Sequence, residues 1–359
     1  MNSIRKIPVL VGMSGGLDSS VAAALLVQQG YLVTGVIMKT WTGGRAPAKG
    51  KHGCYGPGEE EDIEDAGRVA GKLGIPLQII DLSREYKTEV LDYFCHEYIA
   101  GRTPNPCVRC NPRIKFGLLL DKASAQGIEF HYFATGHYAR AELDTAGSRR
   151  LLRKARDEKK DQSYFLYNLS QEQLSLSLFP LGGLLKSEVR NICTELKLGV
   201  ENKAESQNFV CGSYVSLFEE QPVPGPLLDK YGNSLGTHKG IVNYTIGQRR
   251  GLRLSSKEPL YVTDIKPEMN AVIVGGKEEL YKTGQAVANL NWISVDCLNM
   301  DLKAKARIRS SHAGYDATIS PLDTDRVYVA YTEPQIAAAR GQAVVFYQGD
   351  VVVGGGIAE

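Results

Sequence analysis

The apolar positions fall into two textures along the chain. From residue 7 to about 140, short solid apolar runs alternate with longer segments of helical spacing. "IPVLVGM" (7–13) is a continuous run closed by glycines, which predicts a strand buried on both faces. "SSVAAALLVQQG" (19–30) predicts a helix stopped by Gly30. "YLVTGVIMK" (31–39) predicts the next strand. "EEEDIEDAGRVAGKLG" (59–74) predicts a helix with acidic residues at its positive end and Gly74 past its last turn. "PLQIIDL" (76–82) and "FHYFATG" (130–136) predict two more strands, with a polar-aromatic helix from about Arg84 to Tyr98 between them. Strand and helix in alternation imply an α/β fold: a doubly wound parallel sheet that binds ligand at the carboxyl ends of its strands.

After about residue 205 the period changes. Glycine, proline and valine become frequent, segments shorten, and alternation replaces helical spacing. "KGIVNYTIGQRRGL", "PLYVTDIKPEMNAVIVGG", "KAKARIRSS" and "GQAVVFYQGDVVVGGG" predict strands and turns of small β modules. Three domains are expected: 1–210, the α/β catalytic domain; 211–278, a small β-rich central domain; and 279–359, a C-terminal β-barrel. In "KAKARIR", Lys303, Lys305, Arg307 and Arg309 alternate, which predicts four cations on one strand face.

Composition narrows the class. A chain of 359 residues with 43% hydrophobic and 23% charged residues is that of an ordinary globular protein of two or three domains. No apolar stretch approaches the roughly 18–20 residues that span a bilayer. The basic and briefly apolar start, "MNSIRKIPVLVG", lacks a small-residue cleavage site, so no signal peptide is expected. Seven cysteines without a secretion signal indicate a reducing, cytoplasmic setting, where clustered thiols serve metal or redox chemistry. The net charge of +2 means that a nucleic-acid partner must be held by local basic patches.

The chemistry is concentrated in two stretches. In "GMSGGLDSS" (12–20), glycines allow close backbone approach and the loop feeds a helix N-terminus, where N–H groups favour an anion. Ser14, Ser19 and Ser20 add hydroxyls, and Asp18 is a candidate helix cap or magnesium ligand. The Gly-Lys-Ser/Thr ending of the usual phosphate loop is missing. In "GRTPNPCVRCN" (101–111), Cys107 and Cys110 form a C-x-x-C among prolines, which predicts an irregular, exposed loop. A structural zinc wants two further ligands. Cys211 is the first candidate partner and Cys54 a weaker one, while Cys95, Cys193 and Cys297 read as ordinary buried thiols. Two active thiols suit sulfur transfer: one carries a persulfide, and the other attacks or resolves it as a disulfide. Cys107, Cys110 and Cys211 alternatively suit three irons of a 4Fe-4S cluster.

The opening loop resembles the Ser-Gly-Gly-x-Asp-Ser signature of the ATP pyrophosphatases, the PP-loop superfamily. These enzymes cleave ATP between its α and β phosphates, so a γ-phosphate lysine is not required. "GRTPNPCVRCN" with "IKFG", "FATGHYAR", "KKDQSYFLYNLS", "LFPLG", "YTIGQRRGL" and "AVVFYQGDVVVGGGIAE" make the whole chain similar to the bacterial tRNA-specific 2-thiouridylases. That resemblance implies ATP-dependent replacement of the C2 oxygen of a wobble uridine by sulfur, with AMP and pyrophosphate released. It implies ATP, with Mg2+, at Gly12, Met13, Ser14, Gly15, Gly16, Leu17, Asp18, Ser19, Met38 and Gly136. It implies target-base contacts from Asn105, Pro106 and Cys107. Further tRNA contacts fall on His137, Lys160, Asp161, Gln162, Arg309, Ser310 and Gln342. Cys110 matches the family nucleophile and Cys211 the persulfide carrier. The implied partners are tRNAs for Lys, Glu and Gln and a sulfur donor, a cysteine desulfurase or a persulfide relay protein. Two departures stand out: the family usually has aspartate where this chain has Cys107, and Cys211 falls one residue late. Two rivals stay open, a PP-loop enzyme that adenylates a small metabolite and a non-catalytic tRNA-binding protein.

Overall fold

A computed structural model describes residues 6–41, 43, 53–203, 208–210 and 212–359. These residues divide into two compact units. The first comprises residues up to 90, 107–213 and 350–352; the second comprises 91–106, 214–349 and 353–359. The segment 91–106, inside the first expected domain, thus groups with the β-rich remainder.

The first unit is built on the predicted parallel sheet. Its strands run in the order Leu77–Asp81, Leu32–Lys39, Pro8–Gly12, Tyr132–Thr135, Ser177–Leu178, all parallel. Val9, Leu10 and Val11 are at most 1% exposed, as their unbroken apolar run requires. Each such side chain contributes about 1.5–3 kcal/mol on burial. The helix Leu17–Gln28 covers the sheet through Val21, Ala22, Ala23, Ala24 and Leu26. It ends where Gly30 takes a positive φ of 87° and donates its N–H to Val27. The helix Glu59–Leu73 stops at Gly74 in the left-handed conformation, as its sequence predicts. Strand order reverses between Pro8–Gly12 and Tyr132–Thr135, where Gly12 pairs with Thr135. Ligands bind at such a reversal in open α/β sheets.

The region from Ser83 to Ile99 is helical as expected, but Lys87–Asp92 winds as a wider π-helix. A second π-helical stretch, Asn111–Leu118, follows the helix Pro106–Cys110. The C-x-x-C is therefore helical and not an irregular, exposed loop. Pro106 stands at the first helical position, where its missing N–H is no loss.

The second unit carries two β modules. A four-stranded sheet orders as Ser234–His238, Gly225–Leu228, Ala271–Gly275, Tyr261–Lys266 around Leu227, Tyr244, Leu252 and Val262. A six-stranded antiparallel barrel follows from Tyr281–Trp292, closed where that strand pairs with the C-terminal strand, Val287 opposite Ala358. Of the four cations predicted to share one face, three are exposed, Arg309 beyond the end of the strand Leu302–Arg307, and Arg307 is not. Lys303 and Lys305 are exposed, and Lys305 pairs with Asp316 at 3.1 Å. Arg307 is buried against the Tyr347 ring and donates to the Ser310 carbonyl.

Candidate active site

The loop after the first strand is held by its own hydroxyls. Ser19 Oγ accepts from the Ser14 N–H at 3.1 Å and lies 3.2 Å from Ser14 Oγ. Ser20 Oγ donates to the Gly16 carbonyl at 2.8 Å. Gly15 has a φ of 67°, and a β-carbon there would strike the Asp62 backbone. Gly136, at the carboxyl end of Tyr132–Thr135, leaves the same kind of room: its β-carbon would sit 2.7 Å from the Ser19 nitrogen. The helix cap is Gly16, with no side chain closing its first turn. The open N–H groups there favour an anion. Met13 and Leu17 are buried beneath the loop, and Met38 is half-buried, paired with Ile80 on the neighbouring strand.

Asp18 is not the cap. Its carboxylate accepts from Lys186 Nζ at 2.7 and 2.8 Å and from the Tyr138 hydroxyl at 2.8 Å. Lys186 begins the helix Lys186–Glu195 and stands 5.6 Å from the centre of the Tyr138 ring. The cation absent from the loop's sequence is thus supplied from 168 residues away. With both oxygens engaged, Asp18 fits an ion-pair partner of Lys186 better than a magnesium ligand. No sequence signal near the loop pointed to this lysine.

The thiols form a second group in the same unit. Cys110 is buried, Cys107 half-buried and Cys54 exposed. Burial pushes the Cys110 thiol up to about 12 and the Cys107 thiol up to about 11, with the Lys115 charge pulling both down. Burial also pulls Lys115 down, but Cys110, Cys54 and Cys107 together hold its ammonium above the usual lysine value. The π-helix explains the meeting: i→i+5 bonding sets residues five apart one turn along the same face, and Cys110 and Lys115 are five apart. Gln173 Nε2 secures that wide turn by donating to the carbonyls of Pro112 at 2.8 Å and Phe116 at 3.0 Å. His137 lies beside Phe116 and Phe179, its Nδ1 2.8 Å from Thr135 Oγ1. Burial, then the Lys115 charge, hold it well below 6.5, so it is neutral.

Cys211 lies outside the described residues. The strand Gly53–Tyr55 pairs in parallel with Asn208–Val210. Among the described residues no three His, Cys, Asp or Glu side chains are grouped to hold a metal ion. Cys193 is fully buried and Cys95 donates to the Leu217 carbonyl, but Cys297 is exposed, contrary to its strand-like pattern.

The residues matched to tRNA contact divide between the units. In the first, Asp161 accepts from the N–H groups of Ala155 and Ser163, and Gln162 Oε1 accepts from the Tyr138 N–H at 2.9 Å. Lys160 N–H donates to the Asp157 carbonyl in the turn before them. In the second, Gln342 Nε2 donates to the Thr103 carbonyl at 2.9 Å, two residues before Asn105. Arg309 is exposed, its guanidinium against Gly247, and Ser310 follows. Asn105 and Pro106 count with this unit, Cys107 with the first.

Comparison with known proteins covers the whole chain. Residues 7–212 match the tRNA methyl transferase HUP domain, 216–276 the tRNA methyl transferase PRC-barrel domain, and 282–358 the aminomethyltransferase beta-barrel domain. The tRNA-specific 2-thiouridylase MnmA of Clostridium perfringens is 46% identical over 99% of both chains. The tRNA-specific 2-thiouridylase MnmA 1 of Caldanaerobacter subterraneus subsp. tengcongensis is 48% identical over 98% of this chain and 97% of its own. Among solved structures, NMN synthetase from Francisella tularensis covers 60% of this chain and 68% of its own at 18% identity, with a TM-score of only 0.34.

Proposed function

The chain belongs to the tRNA-specific 2-thiouridylase family, and from that premise we propose that it exchanges the C2 oxygen of a wobble uridine for sulfur at the expense of ATP. The observation that carries the chemical part of this reading is the pairing of a self-bonded anion loop with Lys186. ATP sits with its phosphates over Gly12–Ser19. The uridine O2 attacks the α-phosphorus, the α–β bond breaks, and pyrophosphate leaves toward the helix N-terminus and Lys186. Magnesium, arriving with the nucleotide, would neutralise phosphate charge, and Asp18 orients the lysine.

Sulfur then displaces AMP from C2. The terminal sulfur of a persulfide on Cys211 is the sulfur source, and the Cys110 thiolate attacks the inner sulfur, leaving a Cys110–Cys211 disulfide. Asn105, Pro106 and Cys107 flank the target base. The tRNA substrates are those for Lys, Glu and Gln, and a cysteine desulfurase or persulfide relay loads Cys211. The described thiols alone do not make a 4Fe-4S site. No step is therefore assigned to a cluster.

The test is a single-turnover assay with ATP, persulfide donor and unmodified tRNA. Formation of 2-thiouridine with one AMP per thiolated tRNA is expected. AMP release that a small metabolite stimulates and tRNA does not would favour another adenylating enzyme, and tRNA binding without AMP release a non-catalytic protein.

A further inference from the structure

A recess of about 360 Å3 opens in the second unit, lined by no residue to which the family resemblance assigns a role. It is lined by Arg249, Arg253, Lys257 and Glu258 over a floor that includes Leu252 and Leu260. Three cations against one carboxylate give the recess a surplus of two positive charges. Among the described residues, none of Arg249, Arg253 and Lys257 has a side-chain ion pair. In the first unit, by contrast, Arg153 pairs with Asp350 and Arg156 with Glu188. Three cations with no carboxylate partner among the described residues suit an anion brought from outside the chain.

The recess is preformed. Leu252 is 5% exposed in the core of the four-stranded sheet and pins the segment from below. The preceding turn is fixed by Gln248, whose Oε1 accepts from the Thr245 N–H at 3.0 Å and whose Nε2 donates to the Arg250 carbonyl at 3.0 Å. Arg253 has a φ of 55°, a left-handed conformation that side chains with a β-carbon rarely adopt. Such strain is held where the surrounding structure over-determines it, and it clusters at binding sites. The same turn also touches Arg309: a β-carbon at Gly247 would lie 3.5 Å from its guanidinium. A cationic track therefore runs from Arg309 past the Gly247 turn into the recess.

We propose that Arg249, Arg253 and Lys257 form a phosphate-binding subsite for the tRNA backbone, extending the RNA footprint beyond Arg309. Planar guanidinium groups suit phosphate oxygens, and the recess offers no stacked aromatic or amide set to read a base. Its contribution is therefore independent of sequence and dependent on salt. The inference rests on the proposed tRNA function.

The test measures tRNA affinity over a range of salt concentrations for the wild type and for Arg249→Gln/Arg253→Asn/Lys257→Gln. Asparagine tolerates the left-handed backbone at 253. The dissociation constant is expected to rise about tenfold or more at moderate salt, and the log–log salt slope to shrink by about one for each lost phosphate contact. Arg249→Lys/Arg253→Lys retains most of that slope. ATP affinity stays at the wild-type value. An unchanged slope in a variant that melts with the wild type overturns the subsite. So does loss of inorganic phosphate or ATP binding with the tRNA slope intact, since the recess would then take free phosphate. If the triple variant misfolds, Arg253→Asn and Lys257→Gln separately decide, each expected to move the slope by about one. Wild-type protein that fails to bind tRNA at all indicts the proposed function, whereas wild-type binding with an unmoved slope sinks only the recess.

Discussion

The phosphate loop and the cysteine helix lie in one unit and are prepared in opposite senses. Around Gly12–Ser20 the serine hydroxyls are bonded, the glycines make room for backbone, and Asp18 already grips the lysine. That site can receive an anion without rearranging. Cys110 is instead buried and Cys107 half-buried, with their thiols pushed up to about 12 and about 11, which favours the protonated form of both at neutral pH. Nucleotide activation is preorganised, and sulfur chemistry is withheld. A thiol kept protonated at rest is less open to oxidation than a thiolate.

Removing the proposed nucleophile separates the two halves most completely. Cys110→Ser should lower thiolation by at least about a thousandfold while ATP and tRNA affinities stay unchanged. Quantifying 2-thiouridine in a single turnover checks it; thiolation near wild type would take Cys110 out of the reaction. Lys186→Met attacks the other half. It leaves Asp18 without its cation and the departing pyrophosphate without a positive partner, so AMP formation should fall by about 10²–10³. Lys186→Arg should recover part of that loss. A rate within twofold of wild type would show that the ion pair is structural only.

The loop could be read from sequence because its information is local: glycines, serines and a strand-to-helix switch within nine residues. The parallel sheet was equally legible, since solid apolar runs such as Val9–Val11 have few other uses. Lys186 was not, because 168 residues separate it from Asp18 and only the folded sheet brings them together. The cysteine helix was misread for a different reason. Pro104 and Pro106 suggest a broken loop, yet Pro106 opens a helix, a position that proline favours. A normal helical period also sets Cys110 and Lys115 on different faces, so their meeting depends on a π-turn that no residue pattern announces. Arg307 shows the limit of alternation, since a strand near a barrel end can bury both faces.

Lys115 offers a smaller lever on the withheld half. Its ammonium pulls the Cys107 and Cys110 thiols down against burial. Lys115→Met removes that pull, raises both thiols, and lowers the thiolate fraction at any pH below their values. Thiolation at pH 7.5 should slow by about tenfold, the equivalent of one pKa unit, and the rising limb of the pH–rate profile should move to higher pH. ATP-dependent steps before sulfur transfer should not change. A profile that stays in place would mean that another group activates the thiol once tRNA is bound.

The smallest effect concerns stability and comes from His137, which is neutral through burial and the Lys115 charge. An unfolded histidine titrates near about 6.5. Because the folded value is depressed, the stabilising contribution is whole above about 6.5 and is lost as pH falls, at up to about 1.4 kcal/mol per pH unit for one proton. His238 and His312 are also held down, by burial first, so the wild-type slope carries more than one such group. His137→Asn should make the loss of stability between pH 7 and pH 5 shallower by at most one proton's worth. Denaturant midpoints across that range measure it. An unchanged slope would mean that His137 accepts a proton in the folded state, against the effect of its burial and the Lys115 charge.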